Sequence, residues 1–148
     1  MGTFAGTLDF AINREEQAYI FYTTLARTAT TEEMRLALIN FAEEELKHKE
    51  TLSAMKEQKA KPPDEKIRDL KISDYVTDVE PTPDMTYKDA LVIAMKKETN
   101  AFRLYRDLAA ITIDEDLRNT FLTLAQEEAR HKLRFETEYE RTVLKESL

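Results

Sequence analysis

Phe41-Ala42-Glu43-Glu44-Glu45-Leu46-Lys47-His48 decides the fold, together with Leu124-Ala125-Gln126-Glu127-Glu128-Ala129-Arg130-His131, 83 residues later. Each stretch holds Glu-x-x-His, and the two histidines are the only ones in the 148-residue chain. On an α-helix, residues i and i+3 lie on one face about one turn apart. Glu45 with His48, and Glu128 with His131, can therefore each address a metal ion from one side. Glutamate is so frequent in this chain that one such spacing carries little weight. The same spacing at both histidines carries more, and the periodicity around them adds to it.

Four helices follow from that periodicity. Helix 1 is predicted from about Leu8 to Arg27 with Thr7 as its N-cap, and its inward stripe is Leu8, Ile12, Glu15, Tyr19, Tyr22 and Ala26. The alternating steps of four and three make a heptad-like seam with one acid in it. Thr30 with Glu33 fits a capping box that opens helix 2. That helix runs to about Lys59, where Lys61-Pro62-Pro63 stops it. Its seam is Met34, Leu38, Phe41, Glu45, His48, Leu52 and Met55, which leaves Glu43, Glu44 and Glu50 room to point elsewhere. Thr86 with Asp89 opens helix 3, about Tyr87 to Ile111, with Leu91, Met95, Glu98, Phe102, Tyr105 and Ala109 inward. Helix 4 extends from about Glu115 toward Lys145 on Leu117, Phe121, Leu124, Glu128, His131 and Phe135.

All four prolines fall in residues 60–86. Within this stretch Asp64 to Val76 could form a short amphipathic helix on Ile67, Leu70 and Ile72. A link of this length suits a crossover along a bundle better than a tight turn. The expected architecture is all-α, a single domain over 1–148: a four-helix up-down-up-down bundle with hairpins at about 8–59 and 87–145, and one long crossover between helices 2 and 3.

The hairpins repeat each other at a constant offset of 83. Glu15, Ala18, Tyr22, Leu25 and Ala26 match Glu98, Ala101, Tyr105, Leu108 and Ala109; Arg35 matches Arg118. Ala42, Glu44, Glu45, His48 and Lys49 match Ala125, Glu127, Glu128, His131 and Lys132. Two similar helical hairpins about a pseudo-two-fold axis account for this.

Composition narrows the function. Two glycines, four prolines and 34% charged residues read as long helices. A net charge of -7 with no basic stripe excludes a phosphate-binding surface, so no nucleic-acid partner is expected. The absence of cysteine excludes disulfides, Cys-ligated zinc, iron–sulfur centres and a thiol nucleophile within these residues. No apolar run approaches the roughly 20 residues of a membrane span, and Met1-Gly2-Thr3-Phe4 has no basic segment. The expected location is the cytoplasm, with no membrane partner.

Four seams each carry one glutamate, and two add a histidine one turn on. A buried, unpaired carboxylate costs several kcal/mol or takes up a proton. Four close together also repel. Two divalent ions among them would balance the four negative charges, and oxygen with imidazole nitrogen suits iron, manganese or zinc better than magnesium. One Glu from each of two helices plus Glu-x-x-His from each of the other two is the layout of a di-metal carboxylate site in a four-helix bundle. A plain bundle with these side chains solvated or paired with lysine is the alternative, and six residues in matching register on four seams argue against it.

On these residues the chain resembles the ferritin-like superfamily and, within it, the rubrerythrin group. Glu15-Glu16-Gln17-Ala18, with Tyr22 two turns on, is similar to the first-helix motif of that group, and the Glu-x-x-His motifs are similar to those of its helices 2 and 4. The resemblance implies two iron ions, with manganese or zinc as substitutes. It implies bridging roles for Glu45 and Glu128, terminal roles for Glu15 and Glu98, and one metal each for His48 and His131. Tyr22 and Tyr105, each seven residues after one of these glutamates, could reach a carboxylate on a neighbouring helix of an antiparallel bundle. There the resemblance implies a hydrogen bond that orients a ligand; a core aromatic with its hydroxyl at a layer edge is the other reading. The implied activity is reduction of hydrogen peroxide or dioxygen with electrons from an external donor protein. An iron-binding, ferroxidase-like storage or sequestration protein is the second possibility, and an interaction bundle with a vestigial metal site the third. The expected assembly is a homodimer. Two departures stand out: there is no four-cysteine rubredoxin segment, and no acid lies at Asn100, Ala101 or Phe102, where rubrerythrins proper carry an extra glutamate.

Overall fold

A computed structural model describes residues 3–57, 70–76 and 79–147, with the side chains of 3–57, 70–76 and 79–146. Its helices are α1 (Phe4–Ala26), α2 (Glu32–Glu57), α3 (Tyr87–Ile111) and α4 (Glu115–Ser147), with a 3-10 turn at Ile72–Tyr75 before α3. The described residues form an all-α four-helix bundle, as the periodicity predicts. None of these helices is long and apolar enough to cross a membrane.

The caps explain where each helix begins. Thr86 accepts from the Asp89 backbone N–H at 3.1 Å, as expected. Asp114 caps α4 in the same way, accepting from Leu117 N–H at 2.9 Å. Two expected caps are displaced. α1 starts earlier than predicted because Thr3, not Thr7, accepts from Gly6 N–H at 3.0 Å. Thr7 is buried and its hydroxyl donates back to the Thr3 carbonyl at 3.0 Å. The extra turn lets Phe4 enter the core, edge-on to Phe121 with ring centroids 6.3 Å apart. At α2 the capping hydroxyl is that of Thr31, one residue beyond Thr30, accepting from Met34 N–H at 3.1 Å. Acids in the first turns, Glu32, Glu33, Asp89, Glu115 and Asp116, complement the helix dipoles.

Packing corrects the order of directions. The first half of α1 packs with the second half of α3: Leu8 and Ala11 share a cluster with Leu104 and Leu108. The second half of α1 packs with the first half of α3: Ala18 and Leu25 lie with Leu91 and Ala94. α1 and α3 are therefore antiparallel. The same holds for α2 and α4, because Leu52 and Met55 meet Phe121 and Leu124 while Met34 and Leu38 meet Phe135. Ion pairs Lys49–Glu16 and Lys56–Asp9 set α1 against α2. Along the chain the helices run up, down, down, up, not up-down-up-down. A pseudo-two-fold axis perpendicular to the bundle requires this, and the long connection makes it possible by returning the chain to the end where α2 began. Its described part lies along α3: Tyr75 is buried and donates to Asp107 at 2.7 Å, and Arg103 donates to the Asp74 carbonyl at 3.2 Å. Most of the amphipathic helix expected over Asp64–Val76, and the end of helix 2 beyond Glu57, lie outside the described residues.

The seams are wider than a heptad line. Ile12, Tyr19, Met95, Phe102 and Leu117 are half-buried, whereas Ala11, Phe21, Leu25, Leu104 and Leu108 are buried. Each helix packs between two neighbours, so its apolar face broadens beyond a single a/d line. The core forms two blocks, one at each end of the bundle. The glutamates and histidines of the seams form the layer between them.

Candidate metal centre

Every one of the six predicted residues is in that layer. Glu15, Glu45, His48, Glu98, Glu128 and His131 are all at most 3% exposed. They make two overlapping groups, Glu15–Glu45–His48–Glu128 and Glu45–Glu98–Glu128–His131. Within each group one ligand-type atom from every residue lies within 4.8 Å of the others. Glu45 and Glu128 belong to both groups, and each remaining residue belongs to one. His48 Nδ1 is 3.2 Å from Glu45, 3.3 Å from Glu128 and 3.5 Å from Glu15. His131 Nδ1 is 3.5 Å from Glu45 and 3.6 Å from both Glu98 and Glu128.

Six buried polar atoms in this layer have no hydrogen-bond partner: Glu15 Oε2, Glu45 Oε1, His48 Nδ1, Glu98 Oε2, Glu128 Oε1 and His131 Nδ1. Buried polar atoms are almost always satisfied. Here the exceptions are one atom from each of the six residues, all facing the same interior. The donor set of carboxylate oxygen and imidazole nitrogen fits a borderline divalent metal such as iron, manganese or zinc.

The opposite edges of four of these residues are held. Tyr22 donates to Glu98 Oε1, and Tyr105 donates to Glu15 Oε1, each from the facing antiparallel helix. Both tyrosines are fully buried. The hydrogen bonds anticipated for them are formed, and each leaves the second carboxylate oxygen turned toward the cluster.

Sequence reasoning missed Glu44 and Glu127. Glu44 does not point elsewhere: its carboxylate meets His131 Nε2 at 2.9 Å and also takes a hydrogen bond from Arg130. Glu127 meets His48 Nε2 from the other motif. The signal was present as the Glu44–Glu127 match in the repeat. A seam drawn on one helix could not show that the residue before each motif glutamate reaches the histidine of the opposite motif. Arg14 was missed as well. It is the residue before Glu15, and its guanidinium donates to the Lys97 carbonyl at 2.8 Å, tying α1 to α3 beside the cluster.

Without metal the layer is electrostatically loaded. Burial and then repulsion from Glu128 push Glu15 and Glu98 up from 4.5, Glu98 to about 7. The same two causes raise Glu45 well above the ordinary 4.5. For Glu128 burial acts in the same direction, but the neighbouring Glu45 carboxyl and the His48 imidazole, 3.3 Å away, outweigh it and hold the group at about 2. Burial opposes the charge on His131; Glu44, Glu98 and Glu128 overcome it and raise this imidazole to about 10. His48 is raised for the corresponding reason by Glu128, Glu15 and Glu45. Protons thus occupy the positive role that a cation would take.

Fold and site together define a metal-binding, carboxylate–histidine four-helix bundle of the ferritin-like kind. The chain belongs to the rubrerythrin family, whose model matches residues 7–139. A protein of Thermotoga maritima described as a ferritin-like diiron-carboxylate protein superposes with a TM-score of 0.81 at 21% identity, over 95% of this chain and 97% of that one. A hypothetical protein from Pyrococcus furiosus superposes with a TM-score of 0.73 at 25% identity, over 92% of this chain and 87% of that one. Among curated proteins, no sequence matches.

Proposed function

We propose that the chain is a di-iron carboxylate oxidoreductase that reduces hydrogen peroxide, or dioxygen, to water with electrons from an external donor protein. Glu45 and Glu128 would be shared between two metals, Glu15 and Glu98 would each serve one, and His48 and His131 would each hold one. The observation that carries this reading is the convergence of six unpartnered buried atoms into two groups sharing two glutamates. Iron(II) held there would supply electrons for cleaving the O–O bond: two electrons and two protons take one peroxide to two waters, four of each take dioxygen to two waters, and the external donor would replace them. The chain supplies the rest. Tyr22 and Tyr105 hold the terminal carboxylates at one oxygen and leave the other for metal. Glu44 and Glu127 fix the histidine rings with Nδ1 inward. The apolar blocks on either side limit water to the layer and strengthen every interaction within it.

Rapid mixing of iron(II)-loaded protein with peroxide and with oxygen tests this, and both the appearance of ferric absorption and sustained peroxide consumption with a reductant pair are expected. Loss of the redox reading would follow if neither oxidant changed the spectrum. Iron sequestration without turnover is a second reading, favoured by Asn100, Ala101 and Phe102, none of which is an acid. It would show ferric absorption in a single turnover but no sustained peroxide consumption.

A further inference from the structure

The internal repeat is kept at the six candidate ligands and broken just outside them. Between α2 and α4, beside His48, lies an open hollow of about 420 Å³. Glu44, Lys47, Thr51, Asn119, Thr123 and Glu127 line it, and the edge of His48 forms part of its wall. His48 itself is 3% exposed, and its Nδ1 has no partner. The offset of 83 supplies a comparison within the same molecule, because it places Arg134 where Thr51 stands, Arg130 where Lys47 stands and Phe41 where Leu124 stands.

At that other end the corresponding space is filled. The Phe41 ring stacks on His131 with centroids 4.2 Å apart. Arg130 engages Glu44, and Arg134 reaches Glu33 at 3.6 Å. His131 is completely buried. At the hollow a leucine and a threonine replace the ring and one arginine. Lys47 makes no ion pair with Glu127 among the described residues, and the Glu127 side chain remains 35% exposed against 20% for Glu44. A hydrated cation arriving at the hollow meets two carboxylates: Glu44, already engaged by Arg130 and His131, and Glu127, whose ion pair among the described residues is with the histidine behind it. At the opposite end it would meet arginine charges and an aromatic plug.

We propose that divalent metal reaches the cluster through the hollow beside His48, with Glu127 as the receiving carboxylate and the His48 ring as the gate, and not through the His131 end. This rests on the metal-centre reading above. The ion would exchange water for Glu127 oxygen, and a rotation of the His48 ring about its side-chain bonds would then open the way to the unpartnered oxygens behind it. Both motions use a side chain that borders open space, which the ring of His131, clamped by Phe41, lacks.

Cobalt(II) chloride is a suitable probe, because its visible absorption reports binding without redox chemistry. Two variants narrow the hollow without touching a ligand: Thr51→Arg, which copies the filled end, and Thr123→Phe. Each should slow cobalt uptake in stopped-flow by about ten-fold or more. Each should also slow release to an external chelator, while elemental analysis finds the wild-type metal content at equilibrium. Thr123→Ser should load at the wild-type rate, and Arg134→Ser, at the opposite end, should not speed loading. Uptake at the wild-type rate in both narrowed variants would overturn the route while leaving the metal centre standing, as would faster loading in Arg134→Ser. Wild-type protein that bound no metal at all would instead overturn the centre, and the route with it.

Discussion

Glu44 on α2 meets the Nε2 of His131 on α4 at 2.9 Å, although its own neighbour Glu45 belongs to the cluster. Glu127 does the same for His48 in the opposite direction. Each Glu-Glu-x-x-His stretch thus gives one carboxylate to the shared layer and one to the histidine of the other stretch. With a carboxylate at Nε2, the ring keeps its proton there and presents Nδ1 inward. Glu44→Ala should weaken metal binding by roughly ten- to a hundred-fold, the usual effect of losing such a support. Glu44→Gln should lose less, since the amide oxygen still accepts from Nε2–H. Competition with a coloured chelator measures both, and equal affinity in wild type and Glu44→Ala would show that His131 needs no such support.

Tyr105 and Tyr22 are tested by removing one oxygen each. Tyr105→Phe retains the buried ring but leaves Glu15 Oε1 without its donor; Tyr22→Phe does so for Glu98. An unsatisfied buried polar group costs about 1–3 kcal/mol. Metal-free Tyr105→Phe should therefore unfold at lower urea concentration with an unchanged slope. An unchanged midpoint would mean that water replaces the hydroxyl at no cost.

Much of this molecule was legible in its sequence, and the parts that were not share a cause. The bounds of α3, Tyr87–Ile111, agree with the prediction because Thr86 is a cap with little competition. The four glutamates and two histidines of the layer were legible because a polar side chain in an apolar seam is conspicuous along a single helix. Thr3 was passed over for Thr7, as local signals allow several threonines to cap and tertiary packing of Phe4 chooses between them. The roles of Glu44 and Glu127 were hidden because they exist only between helices. Helix direction was mistaken for the same reason: periodicity fixes which face is inward and does not say which end of a neighbour it meets.

Bridging ligands can be separated from terminal ones by counting metal. Glu45 and Glu128 each belong to both groups of ligand atoms, whereas Glu15 belongs to one. Glu45→Ala or Glu128→Ala should weaken both positions together. Glu15→Ala should weaken the position shared with His48 more than the one shared with His131. Elemental analysis and calorimetric titration of the three variants would give these stoichiometries. Loss of a single metal in all three would contradict the shared positions of Glu45 and Glu128.

The last prediction is the pH dependence of the metal-free fold. Glu98, at about 7 when folded against an ordinary 4.5, binds a proton between those values that the unfolded chain has released. Its contribution to stability is therefore present at low pH and is lost as pH rises through about 7. His131, raised from 6.5 to about 10, contributes fully below 6.5, and that contribution is lost as pH rises through 10. Glu128, held at about 2, has the opposite sign, but its loss falls at pH values below 4.5. Across the neutral range these groups together make the metal-free protein less stable as pH rises. Metal reverses this, since protons compete with it for the same oxygens and nitrogens. Added iron(II) should raise the anaerobic melting temperature strongly near pH 7 and little near pH 4.5, provided the fold survives mild acid. Glu45→Gln combined with Glu128→Gln removes two charges while nearly keeping shape. That variant should be more stable than metal-free wild type near pH 7 and should gain little from iron. If wild-type protein near pH 7 melted at the same temperature with and without iron(II), the four glutamates would not form a metal cage and the di-iron proposal would fall.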